Sequence, residues 1–495
     1  MAELTRRHFF YGTLLAGAIP AGGFGSAPSL PSVGYKSPNE KLNCASIGAG
    51  GKAPDGIQAL ARMGENIVAL CDPDKARAAA MFKQYEKVPQ YADFRKMLDK
   101  ELKTIDAVHI AVPDFMHGTM AMWCMERGKH VYVQKPLTRC VWESRQLKEA
   151  AVQYNVATQM GNQGYCEEGT RQATEMIWSG AIGDVTEAHA WTNRPIWGQG
   201  YDELPKGEPV PAFLDWDVWL GIANDHPFST AYVPMQWRGW YDFGCGALGD
   251  MACHVLGAPN MALLLSERAP TSVESIMQTG KSKVSFPKKS TIRFNFPAYK
   301  TFPKLTLYWH DGVVGLPDEF WPAEIPVADR AEPSPAPPPA ATAAARGGGR
   351  SAARPAPRPV DPYQAALDER MKPFNTGFNS GVLYKGTKGY MATGEYGGNP
   401  RLLPAARMAD YQMPPQVLVR HPETFTDWVR ACKGGDPAAS NFNVSGPFTE
   451  WIDMACLSLR VEGPLDWDAA KMQITNNKPA NDLLKPTFRK GWSWT

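Results

Sequence analysis

A short apolar run, Leu42 to Ile47, leads directly into Gly48-Ala49-Gly50-Gly51-Lys52-Ala53 and then Pro54. A strand, a glycine turn and a proline-started helix leave few folds open, because Pro54 suits the first turn of a helix running to about Met63. Gly48 permits the tight turn, Gly50 and Gly51 let backbone approach a pyrophosphate, and Ala53, standing where the fingerprint has its third glycine, keeps helix and strand close. A second apolar run, Ile67 to Cys71, ends at Asp72. That is roughly 20 residues downstream, where a carboxylate accepts hydrogen bonds from the adenine ribose, so Asp72 favours NAD over NADP.

The pattern continues. Helical stretches from Lys75 to Tyr85 and Phe94 to Leu102 precede the run Ala107 to Val112. A helix near Met120 to Arg127, the run His130 to Val133, a helix from Trp142 to Tyr154 and a strand from Val156 to Met160 follow. Alternating strands and helices predict a doubly wound parallel sheet, a Rossmann domain over 41–162.

Two segments of this domain, Ala111-Val112-Pro113-Asp114-Phe115-Met116-His117 and Gly128-Lys129-His130-Val131-Tyr132-Val133-Gln134-Lys135-Pro136-Leu137, resemble the Gfo/Idh/MocA oxidoreductases. That family usually ends the second segment Glu-Lys-Pro; Gln134 replaces the glutamate and Lys135 is retained. The resemblance resumes at Gly244-Cys245-Gly246-Ala247-Leu248-Gly249-Asp250-Met251-Ala252-Cys253-His254 and covers the final helices, 422–432 and 448–460. It implies an N-terminal Rossmann domain and, over 163–495, a C-terminal α/β domain with an open, largely antiparallel sheet that often forms an oligomer interface.

The resemblance also implies roles. Lys135 and His254 would sit at the nicotinamide end of the cleft, with Asp250 one helical turn before His254. Hydride transfer from a carbinol requires removal of the hydroxyl proton. His254 is assigned as general acid/base and Lys135 as its electrostatic partner, though the reverse assignment fits the residues as well. Without the resemblance, Lys135 reads as a solvated lysine at a strand end and His254 as a core histidine; both motifs in one chain, in order, turn the reading to catalysis. Where the family commonly has an aspartate three residues after the histidine, this chain has Gly257, so Gln134 and Gly257 each remove a carboxylate that would tune the pair. His117 either lines the nicotinamide pocket or is a surface loop histidine.

Between the halves, Asn162 and Gln163 leave the last Rossmann strand, where they either reach the cofactor amide or cap the next turn. A helix from Glu168 to Trp178 and a strand from Glu187 to Arg194 follow. Six tryptophans lie between 191 and 240. Flat aromatic faces pack against sugar C–H faces, and arginines hydrogen-bond hydroxyl or acidic groups, which makes Arg194, Trp197, Arg238 and Trp240 substrate candidates. Most of these tryptophans are expected to serve the core instead.

The N-terminus, Thr5-Arg6-Arg7-His8-Phe9-Phe10 followed by a short apolar segment to Phe24, reads as a twin-arginine leader over 1–30 that sends the protein to the periplasm. That route moves folded proteins, so a tightly held NAD would be loaded before export. A stretch at 331–362 dominated by alanine, proline, glycine and arginine cannot bury a core and is expected to be a flexible insertion. A net charge of +2 over 495 residues gives no case for nucleic acid. Nine dispersed cysteines without paired spacing indicate neither a disulfide framework nor a zinc site, and Asp250 with His254 lacks a third metal ligand.

Together these features predict an exported, homo-oligomeric NAD-dependent oxidoreductase acting on a carbohydrate or polyol hydroxyl. An NAD-dependent glycosidase, which oxidises a sugar transiently, eliminates the aglycone and returns the hydride, is the main alternative. A non-catalytic sugar-binding protein is the second.

Overall fold

The computed structural model describes residues 40–330 and 379–494. The leader at 1–30 and the insertion at 331–362 lie outside the described residues.

The first half alternates as its apolar runs demand: β1 (Asn43–Ile47), α1 (Ala53–Arg62), β2 (Asn66–Cys71), α2 (Lys75–Gln84), β3 (Gln90–Tyr91), α3 (Phe94–Glu101), β4 (Ala107–Ile110), α4 (His117–Met125), β5 (His130–Val133), α5 (Val141–Gln153) and β6 (Thr158–Met160). Sequence periodicity did not reveal the two-residue β3. The strands pair in parallel in the order β3-β2-β1-β4-β5-β6. Every residue of β4 and β5 is buried, as expected for strands covered on both faces. Asp74 and Asp93 cap α2 and α3, the first accepting from the Ala76 and Arg77 N–H groups and the second from that of Arg95.

The second half adds α6 (Glu168–Trp178), β7 (Val185–Thr192), α7 (Trp216–Leu220), α8 (Gly246–Val255), α9 (Gly257–Ala262), β8 (Ser272–Thr279), β9 (Lys289–Phe296), β10 (Leu305–Asp311), β11 (Ser380–Gly386), β12 (Gly389–Gly394), β13 (Arg401–Leu403), α10 (Thr424–Cys432), α11 (Phe442–Ser458), β14 (Leu465–Asp468) and β15 (Gln473–Ile474). Its nine strands run β13-β12-β11-β7-β10-β9-β8-β14-β15, antiparallel throughout except for the parallel pair β7 and β10. One face carries α11, where Trp451 packs edge-on against Phe294 and Phe296. On the other, Trp321 and Ile325 cover Trp191, Leu383 and Leu403.

The last helices return to the Rossmann half. Phe425 of α10 stacks on Tyr132 of β5 at 4.2 Å, and the Tyr132 hydroxyl hydrogen-bonds Thr424 at 3.0 Å. Burying a side chain the size of Phe425 contributes roughly 1.5–3 kcal/mol. α11 lies along α5. These helices cover the Rossmann half, while Trp219 and the segment 233–238 face the carboxyl ends of its parallel strands, where α/β sheets bind ligands.

Candidate active site

A cleft of about 400 Å³ follows that edge, lined by the glycine turn, Asp72, Arg77, Asp114, Gln134, Lys135, Trp219, Trp237 and Arg238. Gly48 follows β1 with φ +95°, and a Cβ there would collide with the Ala111 carbonyl oxygen. At Gly50 a Cβ would come within 2.8 Å of Arg77 backbone and side chain. Its missing side chain thus seats the turn against the start of α2, a tighter reason for glycine than approach to phosphate alone. Gly51 takes φ +58°, and Ala53, the first residue of α1, is fully buried.

Asp72 ties this turn down. Its Oδ2 accepts from the Ala49 and Gly50 N–H groups at 2.9 and 3.1 Å, and its Oδ1 accepts from Asp74 N–H at 2.9 Å. Burial pushes its carboxyl up to about 6 in spite of these bonds. A carboxylate has about four acceptor positions, so one remains for a ribose hydroxyl. A glycine turn at a helix N-terminus, with an acceptor at the next strand end, fits a dinucleotide.

At the other end of the cleft, Lys135 follows β5 and donates to the Asp250 carbonyl oxygen and to its Oδ1, both at 2.8 Å. Arg238 Nε donates to the same Oδ1 at 3.0 Å. Burial alone would raise the Asp250 carboxyl, but the charges of Lys135 and Arg238 hold it well below the usual range. Asp250 and His254 lie one turn apart on α8, as their spacing predicted. Burial and the charge of Lys135 lower the His254 imidazole to about 3, Asp250 opposing them. Among the described residues His254 Nδ1 meets no hydrogen-bond partner, and the Tyr396 ring stands edge-on to the imidazole at 5.0 Å.

His117 differs from both sequence expectations. It is neither a wall of the pocket nor a surface residue. Every residue of α4 from His117 to Met122 is buried, so the imidazole is drawn inward, its two nitrogens 2.6 Å from the Pro136 carbonyl and 2.9 Å from that of Val112. It is a positioning residue beneath the Lys135 loop. Burial lowers it to about 4.

Gln134 reaches the cleft. Asn162 is buried, its Nδ2 donating to the Cys253 carbonyl at 3.4 Å and its Oδ1 meeting no partner among the described residues, whereas Gln163 opens a short 3-10 turn and does not line the cleft. Arg194 lies just past β7, while Arg238 lines the cleft over the Trp237 ring. Trp197 and Trp240 are set back from the cleft. Their indole N–H groups donate to Gln199 Oε1 and the Ala231 carbonyl, and Trp240 stacks on Tyr201. Trp219 and Trp237 are the tryptophans on the wall.

Sequence reasoning missed three residues. Asp114, in the loop after β4, accepts from Cys245 N–H, and burial raises its carboxyl to about 7, with Arg238, Asp250 and Lys135 facing it. Glu395 and Tyr396 form the turn after β12. Glu395 is buried, and burial raises its carboxyl against the hydroxyls of Ser380 and Tyr396 and the charges of Arg194 and Lys135. An acid set among glycines, Gly394-Glu395-Tyr396-Gly397-Gly398, was the available signal.

Residues 42–162 match the oxidoreductase family model for the NAD-binding Rossmann fold, and 178–295 match the C-terminal α/β domain of the same Gfo/Idh/MocA family. The scyllo-inositol 2-dehydrogenase (NAD(+)) of Bacillus subtilis is 27% identical over 38% of this chain and 59% of its own length. A glycosyl hydrolase family 109 protein of Solibacter usitatus is 27% identical over 35% of this chain and 41% of its own. The WlbA dehydrogenase from Bordetella pertussis, solved with NADH and UDP-GlcNAcA, shares the fold at 13% identity with a TM-score of 0.54, covering 87% of this chain and 99% of that one. The chain spans 34% to 59% of the length of the first curated relatives it matches. Residues 42–162 and 178–295 thus match the two domains of one oxidoreductase family in order, a cleft that fits a dinucleotide lies between them, and the first half is an NAD-binding Rossmann domain.

Proposed function

We propose that the protein transfers hydride between a tightly held NAD and a hydroxyl-bearing carbon of a carbohydrate or polyol. One observation carries this reading: a single cleft has the glycine turn at one end and Lys135, held by Asp250, at the other. The nicotinamide, when bound, supplies the hydride acceptor or donor. Lys135 uses two of its three donors on Asp250, leaving the third for a substrate oxygen, where its charge steadies a developing alkoxide. His254 is neutral at neutral pH and can receive the hydroxyl hydrogen, with the Asp250 carboxylate favouring the protonated ring as that bond forms. Trp219 and Trp237 offer flat faces to a ring.

The likeness to a glycosyl hydrolase family 109 protein favours a second reading, in which the same oxidation is transient, the aglycone is eliminated and the hydride returns. Export by the twin-arginine route to the periplasm, carried by Arg6 and Arg7, and assembly as a homo-oligomer belong to the same proposal.

The protein should be purified without added nucleotide, denatured, and its supernatant analysed by mass spectrometry, then assayed with sugars and glycosides in both redox directions. Copurified NAD(H) with net NADH formation supports the oxidoreductase. A reducing sugar released without net NADH supports the hydrolase. No nucleotide, and none bound on later addition, contradicts both and favours a sugar-binding protein.

A further inference from the structure

We propose that a second cavity, apart from the cleft, binds a small apolar carboxylate, with Arg171 and His421 holding the acid group. The proposal is independent of the hydride-transfer reading.

The cavity measures about 180 Å³ and lies where α6, α9, the segment 418–421 before α10 and the start of α11 meet. None of its lining residues lines the cleft. Trp178, Met261, Leu264, Leu418 and Val444 give it apolar walls. An apolar cavity of about 150 Å³ accepts a benzene ring, so this one has room for a single ring and little more.

Arg171 supplies the charge. It is 2% exposed, and burial works against its guanidinium. Its Nε donates to the Val419 carbonyl at 2.8 Å and its Nη1 to those of Tyr165 and Glu167. Carbonyl oxygens satisfy these hydrogens but bring no countercharge. Glu168 and Glu175, one turn before and after Arg171 on α6, both pair with Arg420, at 2.8 and 2.6 Å. Among the described residues Arg171 forms no ion pair and its Nη2 meets no acceptor. A buried cation without a counter-ion is costly, and an anion in the cavity supplies one.

His421 lines the same cavity with its side chain 7% exposed. Its Nδ1 lies 2.9 Å from Asp427 Oδ1, and Asp427 is held in turn by Arg430 at 2.7 Å and by the Ala439 N–H at 2.6 Å. Among the described residues Nε2 meets no partner. With a carboxylate on each side, the ring keeps both protons and donates from both nitrogens. Glu267, the acid at the cavity's exposed margin, is already met by Tyr299 and Lys300 at 2.9 and 3.1 Å.

The walls narrow the class. A tetrahedral anion such as phosphate brings no apolar surface to cover them, and an uncharged ring leaves Arg171 without a partner. An aryl or branched aliphatic acid meets both demands.

The test titrates the full-length protein with benzoate, benzyl alcohol and inorganic phosphate by calorimetry, in the parent and in two variants that fill the cavity from different walls, Val444→Phe and Leu264→Phe. The expected result is saturable benzoate binding at least about tenfold tighter than that of benzyl alcohol, with none for phosphate. Benzoate should also raise the melting temperature. Each filled variant should weaken benzoate by at least about tenfold, and at least one of them should melt within about 3 °C of the parent. Arg171→Gln should reduce benzoate to the level of benzyl alcohol. The proposal is overturned by the absence of saturable benzoate binding up to about 10 mM. Equal binding of benzyl alcohol or phosphate overturns it too. So does benzoate affinity unchanged in both filled variants, which puts the ligand elsewhere and leaves Arg171 a structural role.

Discussion

The two ends of the cleft are built on different principles. The dinucleotide end is local backbone: one turn, Gly48 to Ala53, pinned by Asp72 from the neighbouring strand. The Lys135 end is assembled from side chains of distant segments, with Lys135 after β5 and Arg238 and Asp250 before and on α8. Binding the common cofactor thus depends on a compact unit, while the chemistry depends on how the two halves close on each other. Damage at one end should spare the other.

Lys135→Met is expected to break the comparison most visibly. It should lower hydride transfer by roughly 10²–10³-fold while leaving NADH affinity nearly unchanged, as read by single-turnover kinetics and fluorescence titration. The reverse change is Gly48→Ala, which forces a Cβ toward the Ala111 carbonyl at φ +95°. Strain of about 1–3 kcal/mol there should weaken NADH binding by roughly 10–100-fold, measured by the same titration with circular dichroism to confirm folding.

A smaller effect comes from pH. If a ribose hydroxyl donates to ionised Asp72, affinity is full above its pKa of about 6 and declines as pH falls through it, by up to about tenfold per pH unit. Titrating NADH across that window should show the decline in the parent protein and its flattening in Asp72→Asn. The smallest change is expected from Trp240→Phe. It removes a bond to the Ala231 carbonyl and core volume, so stability should fall by about 1–2 kcal/mol in a denaturant melt while substrate KM stays within about twofold.

The sequence made the local end of the site legible and the assembled end only partly so. The turn residues, Asp72 and Lys135 each sit beside a strand end that apolar runs mark out, and Asp250 and His254 share a helix face by spacing alone. Tyr396 meets His254 only through the pairing of β7, β11 and β12, which no short window contains. His117 was misplaced because α4 is buried along its first turns, a property set by packing and not by its own periodicity. Tryptophan identity likewise does not say which ring faces a cleft: Trp237 does and Trp240 does not.

The central claim is that one cleft holds NAD at its glycine turn and passes hydride at Lys135. The most direct measurement mixes NAD-loaded protein with neutral polyols and follows reduced-nicotinamide absorbance in a single turnover, for the parent and for Lys135→Met. The account predicts a rise matching the bound NAD in the parent, and almost none in Lys135→Met although it still binds NADH. A full-rate rise in Lys135→Met, or no rise with any polyol in a parent protein shown to hold NAD, would contradict it.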